Sequence, residues 1–443
     1  MHVQRTTEAS AARTARPRTS AARAWSGTLA LAAAMALVGG AATTAGAAPA
    51  AAPAKTPSAA DVAAVKAALQ KTLDAGAPGA FAVIRDHGQR LGTTSVALGK
   101  ADLDGTPMSP ALRFRAGSNS KMFASVLVMR LVEQGRVDLD KPLRTYLPAG
   151  TLPDGWDMTV RQVMQHRGGV YDHTNDLLEQ AGEETTAAFE ARIRNNAYQP
   201  GDMVAMSVKH GQQYVPGTKY SYSNTGYVLL GMAVEHLTGR KYADVLDREI
   251  IRPLGLRNTS FVVPKKAIDG RHATGYLTND DRTKPLLDST EQTASWVWTA
   301  GAVITTAADL DRFLTAVTTG SHGGLVSDAS LAQMTSVLPT PTAKISYGLG
   351  IREIALSCAK VYGHGGIVQG YQTQSFVTAD GKKSVVAFAN ASNNGAVTTA
   401  LVNVLEPAFC GAAPAASPAK QRSATKGGAV TDRTVPVVED TRI

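Results

Sequence analysis

Apolar positions recur at two periods along this chain, and the two are segregated. Helical spacing, with apolar residues three and four apart, predicts helices over 61–73, 122–131, 160–166, 226–237, 242–250, 307–317, 328–336 and 397–409. Short β-branched and aromatic runs predict strands over 81–85, 93–98, 345–351, 360–363, 372–377 and 384–390. The turn Asp86-His87-Gly88 separates the first two strands, and Ala379-Asp380-Gly381-Lys382 joins the last two as a hairpin. Strands therefore cluster near both ends of the chain, and the middle is mostly helix and loop. That order predicts an α/β protein in which both chain ends build one antiparallel sheet. Helices flank the sheet, and a mostly helical region, about 122–300, is inserted.

The two termini read differently. An Arg-rich start, an apolar stretch over about 28–38 and small residues through Ala45-Gly46-Ala47 predict a secretion signal over 1–47. Its apolar core is too short for a membrane span, and no later segment reaches that length, so the expected location is extracellular. Residues 48–58 and 412–443 are rich in Ala, Pro, Ser and Thr and are expected to be unstructured, which leaves a folded domain over 59–411.

Charge narrows the choice of partners. The formal net charge is +9, but five arginines against Glu8 sit in the segment expected to be removed, leaving +5. A mild excess without a Lys/Arg run argues against nucleic acid. There is no His-Glu-x-x-His, and the two cysteines, Cys358 and Cys410, lack metal-ligand spacing, so no metal or cofactor is expected. In an exported chain an even pair of cysteines suggests one disulfide; two buried free thiols are the other reading.

Three short motifs carry candidate chemistry. Ser118 and Lys121 stand three apart where a loop becomes the apolar helix, so they share one helix face. A serine hydroxyl needs a base beside it, and an amine one turn away can serve. The same spacing at Ser417/Lys420 and Ser423/Lys426, in the tail, shows that this pattern alone decides nothing. Tyr222-Ser223-Asn224 precedes the helix at 226 and, on an extended loop, can set a phenol and a carboxamide on one side, beside that pair. Tyr362-Gly363-His364-Gly365-Gly366 ends an apolar strand, where a histidine supplies a donor or partial positive charge and glycines let a ligand approach the backbone.

Together and in this order, Ser-x-x-Lys, Tyr-Ser-Asn and His-Gly-Gly resemble the penicillin-recognising serine enzymes: DD-peptidases, class C β-lactamases, and related esterases and D-aminopeptidases. The stretches Val160–Gly169, Tyr171–Asp176, Asp288–Trp296 and Gly363–Tyr371 look closest to the secreted D-alanyl-D-alanine carboxypeptidases. The resemblance runs from about residue 60 to Gly411. It implies a β-lactamase/transpeptidase-like fold with Ser118 acylated, Lys121 and Tyr222 sharing the proton transfers, and His364 supporting the tyrosine. It also implies that Asn224 binds the acyl-side amide and Trp296 lines the cleft. Arg352 would bind a terminal carboxylate, with Ile367 and Gln369 beside the substrate and the Ile367 N–H in an oxyanion hole. A Cys358–Cys410 disulfide, substrates ending in D-Ala-D-Ala, acylation by β-lactams and a monomer complete the expectation.

Two departures matter. Gly365 and Ile367 stand where those carboxypeptidases have threonines that hold the leaving carboxylate; Leu178 and Ala181 replace an aromatic residue and a threonine of the cleft. An esterase, a D-aminopeptidase and a β-lactamase are therefore alternatives within the same chemistry. A non-catalytic module that binds β-lactams or peptidoglycan is the alternative outside it.

Overall fold

A computed structural model describes residues 59–86, 93–178, 185–318, 320 and 324–411. The expected secretion signal, the linker, the C-terminal extension and Ala181 lie outside these residues.

Eight strands form one sheet: β1 (Gly79–Asp86), β2 (Thr93–Gly99), β3 (Leu338–Pro339), β4 (Ile345–Tyr347), β5 (Arg352–Ala355), β6 (Lys360–Val368), β7 (Tyr371–Thr378) and β8 (Lys383–Ala389). Their order is β2-β1-β8-β7-β6-β5-β4-β3, and every pairing is antiparallel. The N-terminal hairpin docks on the C-terminal strands through β1 and β8, with Phe81 opposite Phe388. The sheet is thus built from both chain ends, as the strand distribution predicts.

Side chains alternate across a strand, which gives the sheet two cores. Ala80, Ala82 and Ile84 face the terminal helices α1 (Ala59–Asp74), α5 (Gly395–Val402) and α6 (Leu405–Cys410), packing with Val65, Leu69, Val397 and Phe409. Phe81 and Val83 face the inserted region, together with Val377, Val386 and Phe388. There α2 (Ser120–Glu133), α3 (Asn224–Thr238) and α4 (Ala307–Thr318) form the second core, and Phe123 of α2 stacks on Phe313 of α4 at 3.6 Å. Helix α2 is buried along nearly its whole length, from Ser120 through Met129. A helix apolar all round belongs in the centre of a protein.

Several elements differ from expectation for local reasons. The helix expected over 397–409 is two helices, because Pro407 has no N–H and its ring clashes with the carbonyl four residues back. The strand expected over 345–351 stops at Tyr347; a second strand, β5, follows, and β6 runs on to Val368. Helix Pro200–Lys209 was not expected, although Pro200 at its first position and Asp202 reaching back to Gln199 signal a helix start. Among the described residues, no helix is long and apolar enough to cross a membrane.

Cys358, in the turn between β5 and β6, is bonded to Cys410 at the end of α6. The bridge spans a sequence separation of 52 residues. Closing a loop of that size stabilises a fold by about 2–4 kcal/mol. A Cys358→Ser/Cys410→Ser variant is therefore expected to unfold at lower denaturant, with a loss of that size. An unchanged midpoint would show that the bridge adds nothing to the packing of α6.

Candidate active site

The nucleophile turn is assembled by residues around Ser118. The short strand Phe114–Arg115 pairs with Ile304–Thr305, and the Ala116 N–H donates to the Val303 carbonyl. The chain then turns at Gly117, whose φ is +54°. A Cβ there would lie 2.7 Å from the backbone nitrogen of Ile367, so only glycine permits this turn against β6. Asn119 ties the turn on two sides: its Nδ2 donates to the Ala116 carbonyl at 3.0 Å and its Oδ1 accepts from Ser375 of β7 at 2.6 Å. Ser120 accepts from the Val303 N–H at 3.0 Å. Ser118 sits two residues before α2, and Lys121 is one turn further on.

Lys121 is fully buried, and its Nζ has three hydrogen-bond partners: Ser118 Oγ at 3.0 Å, Asn224 Oδ1 at 2.7 Å and the Ala300 carbonyl at 3.0 Å. It also lies over the ring of Tyr222, 4.7 Å from the centroid. Tyr222 Oη donates to Ser118 Oγ at 2.9 Å. The hydroxyl of Ser118 is thus flanked by an amine and a phenol, both within reach of its proton.

Tyr222 is aimed by His166. The His166 carbonyl accepts from the Ser221 N–H, and its Nδ1 accepts from the Ser223 N–H at 3.2 Å. Its ring packs 4.1 Å from that of Tyr222. His166 has φ +56°, a left-handed conformation uncommon for a side chain of this size. Ser223 caps α3 by accepting from the Gly226 N–H, which places Asn224 at the first turn facing Lys121.

His364 lies on β6, fully buried. Its Nδ1 meets the carbonyl of Gly365, which can only accept, so the proton sits on Nδ1 and Nε2 accepts from Tyr347 Oη at 2.8 Å. Burial, with Arg352 and Lys121 nearby, pushes His364 well below its ordinary value. That favours the neutral form, so of the two expected roles, donor or partial positive charge, the charge is disfavoured. His166 is pushed the same way by burial, Lys121 and Arg352. As pH falls below about 6.5, the unfolded chain binds protons that these two folded residues refuse. Stability is therefore expected to fall between pH 7 and 5, by at most about 1.4 kcal/mol per pH unit for each histidine. Urea unfolding at the two pH values checks this. A flat profile would mean the histidines are not held neutral.

The other expected residues fall into two groups. Arg352 begins β5 opposite Gly363, with its guanidinium 5.6 Å from the Tyr222 ring centroid, so it belongs to the site. Ile367 is half-buried against Gly117. Asn224 is also present, but its carboxamide is committed at both ends, to Lys121 and to Asp172 Oδ2, and it is buried. Its contact is with the lysine rather than with open cleft. Trp296 does not line the cleft: it is wholly buried, and its carbonyl accepts from His173 Nε2 at 2.7 Å. Gln369 is likewise buried, its carbonyl accepting from Gln292 Nε2.

Beside His364, the space of one missing threonine, at position 365, is taken by a neighbouring side chain. A Cβ at Gly365 would lie 2.8 Å from Gln374 Oε1, on the adjacent strand β7. Tyr347, which holds His364, and Asp172, which holds Asn224, had no expected role. Tyr347 reads locally as a strand residue; Asp172 lies in the family-like stretch 171–176 and could have been suspected from it.

A family model described as Beta-lactamase matches residues 62–407. The solved structure of a D-stereospecific amidohydrolase from Streptomyces sp. is 30% identical, with a TM-score of 0.67, over 79% of this chain and 99% of that one. Penicillin-binding protein 4 of Amycolatopsis lactamdurans is 32% identical over 45% of this chain and 49% of its own length. A D-aminopeptidase of Cereibacter sphaeroides is 29% identical over 76% of this chain and 63% of its own. The chain thus spans between about half and two thirds of these curated relatives.

Proposed function

Because the chain belongs to the beta-lactamase family, we propose that it is a serine hydrolase cleaving amide bonds beside a D-configured residue, with a leaving group that carries no free carboxylate. The observation that carries the chemistry is Ser118 Oγ lying 3.0 Å from Lys121 Nζ and 2.9 Å from Tyr222 Oη. In this reading Ser118 Oγ bonds to the acyl carbon, and its proton passes to the Lys121/Tyr222 pair. The pair returns the proton to the leaving nitrogen as the amide bond breaks. Water then releases the acyl group by the reverse transfers. The backbone N–H groups of Ser118 and Ile367 are the candidate oxyanion donors, since Gly117 packs directly on Ile367.

The likeness to a D-stereospecific amidohydrolase and a D-aminopeptidase supports the D-configured substrate. The leaving group is argued from β6: Gly365 and Ile367 offer no hydroxyl, and Gln374 crowds Gly365. A D-alanyl-D-alanine carboxypeptidase remains the second reading, because Arg352 beside Tyr222 offers a cation to a carboxylate.

Three assays separate these: ammonia release from D- and L-amino acid amides, D-alanine release from a diacylated D-Ala-D-Ala peptide, and turnover of a chromogenic cephalosporin. Two missing neutral hydrogen bonds, at about 0.5–1.5 kcal/mol each, lead us to expect kcat/KM for the D-amide to exceed that for the peptide by roughly 5- to 150-fold. Fast D-alanine release with inert amides would overturn the amidase reading in favour of the carboxypeptidase.

A further inference from the structure

We infer that Asp172 is a positioning residue for acylation: it locks the carboxamide of Asn224 in the one orientation that turns the lone pair of a neutral Lys121 toward Ser118. The inference rests on the reading of Ser118 as the acylated nucleophile.

A carboxylate only accepts hydrogen bonds. Asp172 Oδ2 accepts from the Asn224 backbone N–H at 3.1 Å and from Asn224 Nδ2 at 2.9 Å. Its Oδ1 accepts from the Thr174 N–H at 3.1 Å and from Thr174 Oγ1 at 2.9 Å. Asp172 is 8% exposed, so these protein donors largely stand in for water around the carboxylate. The end of the Asn224 amide that faces Asp172 must therefore be the NH2. The other end, Oδ1, must face Lys121 Nζ, which it meets at 2.7 Å. A flipped amide would set oxygen against oxygen at Asp172.

This orientation decides where the amine can act as a base. A neutral amine has two N–H bonds and one lone pair. Among the described contacts, Nζ has three hydrogen-bond partners: Asn224 Oδ1, the Ala300 carbonyl at 3.0 Å and Ser118 Oγ at 3.0 Å. The first two can only accept, so they take the two N–H bonds. The lone pair is left for Ser118, whose O–H it must receive. If Asn224 were flipped, its NH2 would point at Nζ. The lone pair would then be drawn to that donor and away from the serine. Asp172 does not touch the reacting atoms, and its effect passes through Asn224.

The test is Asp172→Asn. A neutral amide at 172 has one oxygen, which cannot serve both Thr174 and Asn224 as the carboxylate does; with only the longer 3.4 Å contact from Asn224 Nδ2 to Thr174 Oγ1 to back it, the orientation of Asn224 is held less firmly. Labelling by a fluorescent fluorophosphonate separates three quantities: the inactivation rate constant per site, the KI for non-covalent binding, and the final labelled fraction. Expected for D172N is a per-site rate constant lower by about 10- to 100-fold, with KI within about 2-fold and an unchanged end point. A lower end point with a wild-type rate constant would mean that Asp172 merely supports the fold, and would overturn the inference. Labelling of D172N at the wild-type rate would overturn it as well. Should D172N give no folded protein, Asp172→Ser, whose hydroxyl accepts only part of this set, is measured the same way. Wild type and Ser118→Ala run alongside: a wild-type protein that is not labelled at Ser118 would sink the acylation reading itself, a separate outcome.

Discussion

Replacing Ser118 with alanine is expected to lower turnover of the best amide substrate by at least ~10⁴-fold and to abolish covalent labelling. The size follows from the site. Lys121 Nζ and Tyr222 Oη both converge on Ser118 Oγ, at 3.0 and 2.9 Å. Without Oγ the remaining groups could only polarise a bound carbonyl. The fold should be untouched, because Oγ is not what holds the turn: Gly117, Asn119 and Ser120 anchor it to β6, β7 and Val303. The check is kcat/KM on the amide, together with mass spectrometry after exposure to a fluorophosphonate. Labelling that survives in Ser118→Ala would show that another residue is the nucleophile.

Lys121→Met carries the second large effect. Methionine keeps the length and apolar stem of the side chain and removes only the amine. Acylation is expected to slow by about 10²–10⁴-fold, the range for losing a positioned general base. Stability should change as well. Asn224 Oδ1 and the Ala300 carbonyl lose an N–H donor where both residues are buried, and each buried acceptor left unpaired costs about 1–3 kcal/mol. Stopped-flow labelling gives the first quantity and urea unfolding the second. An acylation rate within a few-fold of wild type would transfer the base role to Tyr222, the only other side chain bonded to Ser118 Oγ among the described contacts.

Much of the fold was readable because burial imposes a period on the chain. The alternation in β1 places Ala80, Ala82 and Ile84 on one core and Phe81 and Val83 on the other. The apolar run after Lys121 made α2 a central helix, and strands at both ends implied a sheet closed by both. Errors came where a local rule competed with periodicity, as at Pro407, or where short strands such as Arg352–Ala355 depend on a neighbour rather than on their own pattern.

The site divides along the same line. Ser118, Lys121, Tyr222, Asn224 and His364 were legible as residues, because their spacing puts reactive groups at the starts of helices and on an apolar strand, although that strand runs on past His364 to Val368. What those groups do to one another was not legible. Only the packed chain makes His364 neutral, since its charge depends on burial and on Arg352 and Lys121 from other elements. Only the packed chain buries Trp296 and Gln369, brings Gln374 over Gly365, and sets Asp172 behind Asn224. By itself the sequence determined which functional groups exist and the local geometry each starts from. The tertiary structure decided their protonation, orientation and partners, because those quantities are set by contacts between different elements, from Gly365 and Gln374 on neighbouring strands to Lys121 and His364 far apart in the chain.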